Sequence, residues 1–128
     1  MMTSGKMNKT SFEELFELQL ENQNALIKKG SYDGFTSNKV GKIPFDDPRL
    51  CSYHIQQLIS EIGEVLEADK RWKNFRNNHF DESNKLDEIA DCFIVLMNIS
   101  MYSGFSGEKI AEAIKNKIEV VSKRINGT

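Results

Sequence analysis

The chain has 128 residues, of which 39% are hydrophobic, enough for one domain with a single core. Its 17 basic and 19 acidic residues leave a net charge of −2, which argues against nucleic-acid or membrane-surface binding. No apolar run approaches the roughly 18 residues of a membrane span, and the first residues lack a secretory apolar segment. Two cysteines outside any CxxC pair suggest a reducing compartment, so we expect a cytoplasmic protein. From the charge balance and the lack of a long apolar run, we expect no nucleic-acid or membrane partner.

The first part of the chain is predicted to contain a tail, a helix and a long loop. Residues 1–9 resemble a flexible N-terminal tail, and residues 10–128 are predicted to form one helical domain. Apolar side chains recur at helical spacing over residues 10–29, and Gly30 is a natural stop. The glycine- and proline-containing segment 30–47 predicts a loop of a length that is often functional.

A second helix has a clear start signal. Asp47 can cap it, Pro48 suits its first position, and apolar side chains continue at helical spacing to about Lys70. A basic and aromatic segment, residues 70–76, follows this helix. The segment after it is polar and predicts a connection.

Two further helices are predicted over residues 83–102 and 107–126, the second capped by Ser106. Residues 89–99 are apolar nearly all round, as in a helix that is buried on most sides. One chain of this size cannot easily cover such a helix, so we expect at least a homodimer, or a homotetramer. The predicted fold class is all-α, an oligomeric four-helix bundle.

Two pairs of acidic residues stand at helical spacing. Glu61 and Glu64 project from one face of the second helix, and Glu88 and Asp91 repeat this spacing on the third. If the helices pack antiparallel, four carboxylates can converge into a site for Mg²⁺, which prefers oxygen ligands. Without cations they would repel one another. The spacing alone is equally consistent with a solvated acidic face, or with Glu88 or Asp91 paired to a lysine or arginine.

The motif Glu61-Ile62-Gly63-Glu64, followed about two dozen residues later by Glu88-Ile89-Ala90-Asp91, resembles the ExxE…ExxD signature of the all-α NTP pyrophosphatase superfamily. This superfamily includes MazG-like enzymes and dimeric dUTPases. The similarity covers roughly residues 12–125, and the first helix is similar to that of dimeric dUTPases. The resemblance implies Mg²⁺-dependent hydrolysis, with Mn²⁺ as a substitute, of an NTP or dNTP to the monophosphate and pyrophosphate. dUTP is a candidate substrate.

The resemblance also implies roles for individual residues. All four acids would bind the metal, and Glu61 or Glu64 would act as general base. Sequence position and the resemblance together suggest seven substrate-binding candidates: Gln19, Lys70, Trp72, Lys73, Asn98, Lys117 and Arg124. Simpler alternatives remain, because lysines suit a helix C-terminus, Trp72 can fill a core, and Gln19 can be a polar surface residue. His54 is expected to be structural.

Two other functions are compatible with the sequence. A non-catalytic helical module of the same fold would bind a nucleotide or a protein partner without releasing pyrophosphate. A purely structural oligomerising bundle would let the four acids point in different directions.

Overall fold

A computed structural model of the chain describes residues 10–34, 43–72 and 81–127. Over these residues the regular structure is helical and contains no strand, which confirms the all-α prediction. The elements are α1 (Phe12–Lys28), α2 (Pro48–Ala68), a 3₁₀ turn (Lys70–Trp72), α3 (Glu82–Met101) and α4 (Gly107–Ile125). The predicted tail, and residues 35–42 of the predicted loop, lie outside the described residues. Within the described ranges, no helix is both long and apolar enough to cross a bilayer.

Each helix begins at a polar side chain that accepts a hydrogen bond from a backbone N–H of the first turn. Asp47 and Ser106 cap α2 and α4, as the sequence predicts. Ser11 and Glu14 form a reciprocal capping box at the start of α1. Asp81 caps α3. Caps of this kind contribute about 1 kcal/mol each and define where the helices start.

Helices α2 and α3 pack against each other in antiparallel directions. At one end, Cys51 Sγ lies 3.4 Å from Ser103 Oγ. At the other end, Lys85 Nζ of α3 lies 2.8 Å from an oxygen of Asp69, which follows α2 directly. This arrangement sets the middle of α2 against the middle of α3, where the four predicted acids lie.

Helix α1 runs alongside α3 in the same direction. Gln19 bonds to Asn98, and one turn later Gln23 bonds to Tyr102. The buried core lies where these helices meet the segment before α2, and consists of Phe16, Tyr32, Ile43, Leu50, Met97, Met101 and Tyr102. Core packing is therefore concentrated toward the C-terminal end of α3.

Helix α3 is not covered on most sides within one chain. Phe93 is 59% exposed and Leu96 is 46% exposed. Helix α2 covers one side of α3, and α1 covers another side near the end of α3. The remaining apolar face of α3 is exposed in the single chain. The predicted oligomer was based on an uncovered face of this kind.

Helix α4 meets α1 through a glycine. A Cβ atom added to Gly107 would lie 2.9 Å from Cγ of Phe16, so we expect Gly107→Ala to destabilise the fold by about 1–3 kcal/mol. Gly63, in the middle of α2, has nothing within 4 Å of such a Cβ, and Gly63→Ala should stabilise by about 0.5–1 kcal/mol. Urea denaturation of both variants measures the two effects. Equal stabilities would contradict the close approach of α4 to α1.

Candidate metal and substrate site

The predicted acidic residues come together between α2 and α3. Glu61, Glu88 and Asp91 each offer a carboxylate oxygen, and these three oxygens lie within 4.8 Å of one another. Glu64 lies close enough to Glu61 to raise the pKa of that carboxyl. We call these four residues the acid cluster. The expectation of a purely structural bundle, with acids pointing in different directions, does not match this geometry.

Two helices of opposite direction explain the acid cluster. Residues three apart on a helix lie on one face, so each helix presents a pair. The antiparallel packing of α2 and α3 then sets one pair opposite the other.

The basic side chains of Arg71 and Lys85 both bond to Asp69. These bonds hold the pKa of Asp69 well below its usual range, first through Arg71 and then through Lys85.

The acid cluster carries more negative charge than its surroundings favour. Burial raises the pKa of Glu61, and the hydrogen bond and charge of Glu64 raise it further. Burial likewise raises the pKa of Glu88, with the charges of Glu64 and Asp91 adding to it. One oxygen of Glu61, Oε2, is buried and has no hydrogen-bond partner. Closely spaced hard oxygen donors of this kind suit a divalent cation such as Mg²⁺.

The repulsion has a measurable consequence for stability. In metal-free buffer we expect the Glu61→Gln variant to be more stable than the wild type at pH 7. The folded-state pKa of Glu61 lies above its ordinary value of 4.5. Below pH 4.5 the carboxyl of Glu61 is protonated in both states and the wild type keeps its full free energy of unfolding. This free energy falls as the pH rises through the folded-state pKa of Glu61. Glutamine carries no charge, so the stability difference between Glu61→Gln and the wild type should disappear below about pH 4.5.

Thermal melts in EDTA from pH 4 to pH 8 measure this difference. Glu112→Gln, which removes an exposed carboxylate on α4, is the control and should match the wild type. A Glu61→Gln variant that is less stable than the wild type at pH 7 would contradict unneutralised repulsion in the acid cluster.

Two cavities flank the acid cluster. The first, which we call the amide cavity, has a volume of about 330 Å³ and includes both Glu61 and Asp91 in its lining. The second, the Lys70 groove, has a volume of about 580 Å³ and is lined by Glu64 and Glu88 together with Lys70. The acid cluster therefore lies between two spaces of the size that small-molecule ligands occupy. The other walls of the amide cavity are Gln19, Gln23, Leu26, Tyr32, Tyr53, His54, Gln57, Ile94, Val95 and Asn98.

Two predicted substrate-binding residues lie together in the amide cavity. The Gln19 side chain donates from Nε2 to Oδ1 of Asn98 at 3.0 Å. Asn22 in turn donates to Oε1 of Gln19 at 3.3 Å. Asn98 is only 4% exposed, so its amide is held in a set orientation by its surroundings. The pair offers amide hydrogen-bonding groups a short way from the metal-binding carboxylates.

A buried hydrogen-bonded group that the sequence does not reveal forms part of the wall of the amide cavity. Oε1 of Gln23 accepts hydrogen bonds from the hydroxyls of Tyr32 and Tyr102, both at 2.8 Å. Burial raises the pKa of both tyrosines, so both hydroxyls keep their protons. Gln23 and Tyr102 are 79 residues apart, and only the fold brings them together. The one sequence signal was that Gln23 lies one turn after Gln19.

The other predicted substrate-binding residues lie in different places. Lys70 lines the groove that bears its name. Trp72 ends the 3₁₀ turn, but its side chain, like all of Lys73, lies outside the described residues. Lys117 and Arg124 are exposed on α4, and neither lines the amide cavity or the Lys70 groove. Within one chain, the structure therefore brings Gln19, Asn98 and Lys70 to the acid cluster, and not the two α4 cations.

No family model, curated protein or solved structure matches this chain. The chemistry of the site is therefore the basis on which a function is assigned.

Proposed function

We propose that the protein is a Mg²⁺-dependent nucleoside triphosphate pyrophosphohydrolase of the all-α NTP pyrophosphatase type. The observation that carries this proposal is the acid cluster, with three carboxylate oxygens within 4.8 Å of one another. Its position between the amide cavity and the Lys70 groove supports a substrate that extends across the metal. The products would be a nucleoside monophosphate and pyrophosphate.

The residues present fit the metal that this function needs. Glu61, Glu88 and Asp91 supply hard oxygen donors, and Oε2 of Glu61 is buried with no hydrogen-bond partner. When bound, Mg²⁺ or Mn²⁺ would neutralise phosphate oxygens and lower the pKa of a bound water.

Glu64 is the better candidate for the general base. It lies outside the group of three ligand residues, yet its charge raises the pKa of both Glu61 and Glu88, so it is close to the metal site without being required as a ligand. In the proposed reaction Glu64 orients a water molecule toward the α-phosphorus and accepts its proton. The water oxygen bonds to the α-phosphorus, and the bond from that phosphorus to the α–β bridging oxygen breaks. Pyrophosphate leaves with the bridging oxygen.

The two cavities suggest how the substrate lies. The amide cavity, with Gln19 and Asn98 in its wall and Tyr32 and Tyr53 beside them, suits the nucleoside part. Lys70 in the opposite groove suits the outer phosphates. An NTP or dNTP would thus cross the acid cluster with its α-phosphate at the metal, and dUTP is one candidate.

A pyrophosphate-release screen tests the proposed function directly. Each common NTP and dNTP, together with dUTP, is incubated with the purified protein and Mg²⁺ or Mn²⁺. We expect pyrophosphate and the monophosphate from at least one nucleotide, and no release in EDTA. Metal-dependent nucleotide binding without any release would favour the non-catalytic module instead.

We further propose that the chain works as a homodimer or homotetramer in the cytoplasm. Exposed apolar side chains follow α4 at helical spacing, among them Ile114, Ile118, Val121 and Ile125. Contiguous exposed apolar surface of this kind marks interaction sites. In the proposed oligomer, Lys117 and Arg124 of one subunit would supply cations to the acid cluster of another. Both cysteines are free thiols, which suits a reducing compartment.

Light scattering tests the oligomer. At micromolar concentration we expect a mass of at least two chains. Ile118→Glu, which puts a charge in the apolar stripe, should shift the protein toward the monomer, because burying an unpaired charge is strongly unfavourable. Asn116→Glu adds the same charge at an exposed polar position of α4 and should leave the mass unchanged. A monomeric wild type would overturn the proposal.

A further inference from the structure

The carboxylate of Asp69, directly after the end of α2, binds two basic side chains at once. Its Oδ1 accepts hydrogen bonds from the backbone N–H and from Nε of Arg71, at 3.2 and 2.7 Å. Its Oδ2 accepts from Nη2 of Arg71 at 2.7 Å and from Nζ of Lys85 at 2.8 Å. Both oxygens of the carboxylate therefore have two donors each. We call these three residues the Asp69 clamp.

The geometry of the Asp69 clamp makes it firmer than an ordinary surface ion pair. Arg71 binds side-on through two N–H groups, and Lys85 adds a third charge to the network. Isolated exposed pairs contribute little, whereas bidentate pairs and networks hold a defined geometry. The side chain of Asp69 is only 16% exposed. Arg71, and after it Lys85, keep the pKa of Asp69 well below its usual range, so the carboxylate stays charged at neutral pH.

The Asp69 clamp fixes the backbone on both sides of Lys70. Asp69 and Arg71 flank Lys70 in the chain, and the bond from the Arg71 N–H to the Asp69 side chain closes a turn around it. The N–H of Asp69 bonds to the carbonyl of Val65 in the last turn of α2. Lys85 joins the same turn to α3. The backbone from which the Lys70 side chain extends is thereby held against both helices.

A fixed Lys70 matters because of the charges in the Lys70 groove. Among the described residues that line this groove, Lys70 is the single base, and the acids are Glu64, Glu67, Asp81 and Glu88. Phosphates can enter such a groove only if cations offset the carboxylates. The ammonium of a lysine is a point charge on a flexible stem, so the anchor of its backbone decides which part of the groove it reaches. Lys85 anchors it to α3 three residues before the metal-ligand candidate Glu88.

We propose that Asp69 is a positioning residue, whose contacts with Arg71 and Lys85 hold Lys70 where its ammonium meets the outer phosphates of the substrate. This inference rests on the proposed function, since it takes the Lys70 groove to receive phosphates. It adds that Arg71 and Lys85 serve the site through Asp69 and not by touching the substrate. Phosphate binding therefore depends on Asp69, although a carboxylate would repel the phosphates that it helps to bind.

Binding of inorganic tripolyphosphate in the presence of Mg²⁺ tests this role without requiring turnover. In calorimetry we expect Asp69→Asn to weaken the binding by at least about 10-fold, because the amide cannot hold the charged partners. Arg71→Met, which removes the bidentate arm, should act in the same direction. The affinity for Mn²⁺ alone should equal that of the wild type in both variants, since neither residue belongs to the acid cluster. Glu112→Gln on α4 is the control for loss of a carboxylate and should bind tripolyphosphate like the wild type.

A double-variant cycle separates positioning from a merely structural role. Lys70→Met should weaken tripolyphosphate binding at least as much as Asp69→Asn does. If Asp69 acts through Lys70, adding Asp69→Asn to Lys70→Met has little further effect. Asp69→Glu keeps the charge and should restore part of the affinity that Asp69→Asn loses.

The inference and the proposed function fail in different ways. Wild-type affinity for tripolyphosphate in Asp69→Asn would overturn the inference, and so would fully additive losses in the double variant. The same holds if tripolyphosphate does not bind the wild type although Mn²⁺ does. In each case the proposed function stands if a nucleotide yields pyrophosphate. Conversely, tripolyphosphate binding that requires both Lys70 and Asp69, without pyrophosphate release from any nucleotide, would overturn the proposed function alone.

Discussion

Replacing Glu61 by glutamine is expected to lower pyrophosphate release by at least about 100-fold while the fold survives. Glu61 is the member of the acid cluster whose pKa is raised by all three of the others. It shares the group of three ligand oxygens with Glu88 and Asp91, Glu64 raises its pKa, and its Oε2 is buried without a partner. Glutamine keeps the shape but removes the charge that holds a cation against phosphate oxygens.

Parallel variants separate the two roles in the acid cluster. Asp91→Asn should lose both Mn²⁺ affinity and activity, as Glu61→Gln does. Glu64→Gln should lower kcat by a similar factor while Mn²⁺ affinity changes much less, because Glu64 lies outside the three-ligand group. Glu112→Gln on α4 is the control for carboxylate removal in general. Full activity in Glu61→Gln or Asp91→Asn would show that the reaction does not use the acid cluster.

The elements and the acid cluster follow from local patterns in the sequence. Asp47 and Pro48 mark the start of α2 because a cap and a fixed φ act within one turn. The spacing of Glu61 and Glu64, repeated by Glu88 and Asp91, needs only two helices in antiparallel contact to converge. Short-range rules therefore suffice for the helix starts and the acid spacing, and the antiparallel contact of α2 with α3 adds the convergence.

The wall of the amide cavity depends on long-range contacts that local patterns do not contain. Gln23 looks like any polar residue of an amphipathic helix until Tyr102 is brought to it from 79 residues away. His54 is expected to be structural from its sequence context, and its burial against tyrosine rings fits that expectation. Its unpartnered Nε2 becomes visible only when every neighbour is known. The seven-residue spacing from Glu61 was the available signal.

Exposed apolar positions are another feature that the sequence alone does not predict. The nearly continuous apolar run of α3 predicts burial, yet Phe93 is exposed in the single chain because α1 and α2 occupy other sides. Lys117 and Arg124 line neither of the two cavities in the single chain. Periodicity indicates that a face is buried, but it does not say whether the same chain or another copy covers it.

Replacing Gln23 by leucine is expected to destabilise the fold by about 2–4 kcal/mol, a large part of the stability of a small domain. Gln23 is 3% exposed, and its Oε1 accepts hydrogen bonds from both Tyr32 and Tyr102. Leucine would leave two buried hydroxyls without an acceptor, each costing about 1–3 kcal/mol. Urea denaturation of the metal-free protein measures the loss.

The triple variant Gln23→Leu, Tyr32→Phe, Tyr102→Phe provides the matched control. It removes both hydroxyls with their acceptor, so no buried donor is orphaned, and it should be more stable than Gln23→Leu alone. If the triple variant were instead the less stable of the two, the cost of Gln23→Leu would come from packing and not from unpaired hydroxyls. Because Tyr102 stacks on His54, the same pair of proteins also tests how firmly this network holds the wall of the amide cavity. We expect weaker nucleotide binding with unchanged Mn²⁺ affinity in Gln23→Leu, since Gln23 is not among the carboxylates that would bind the metal.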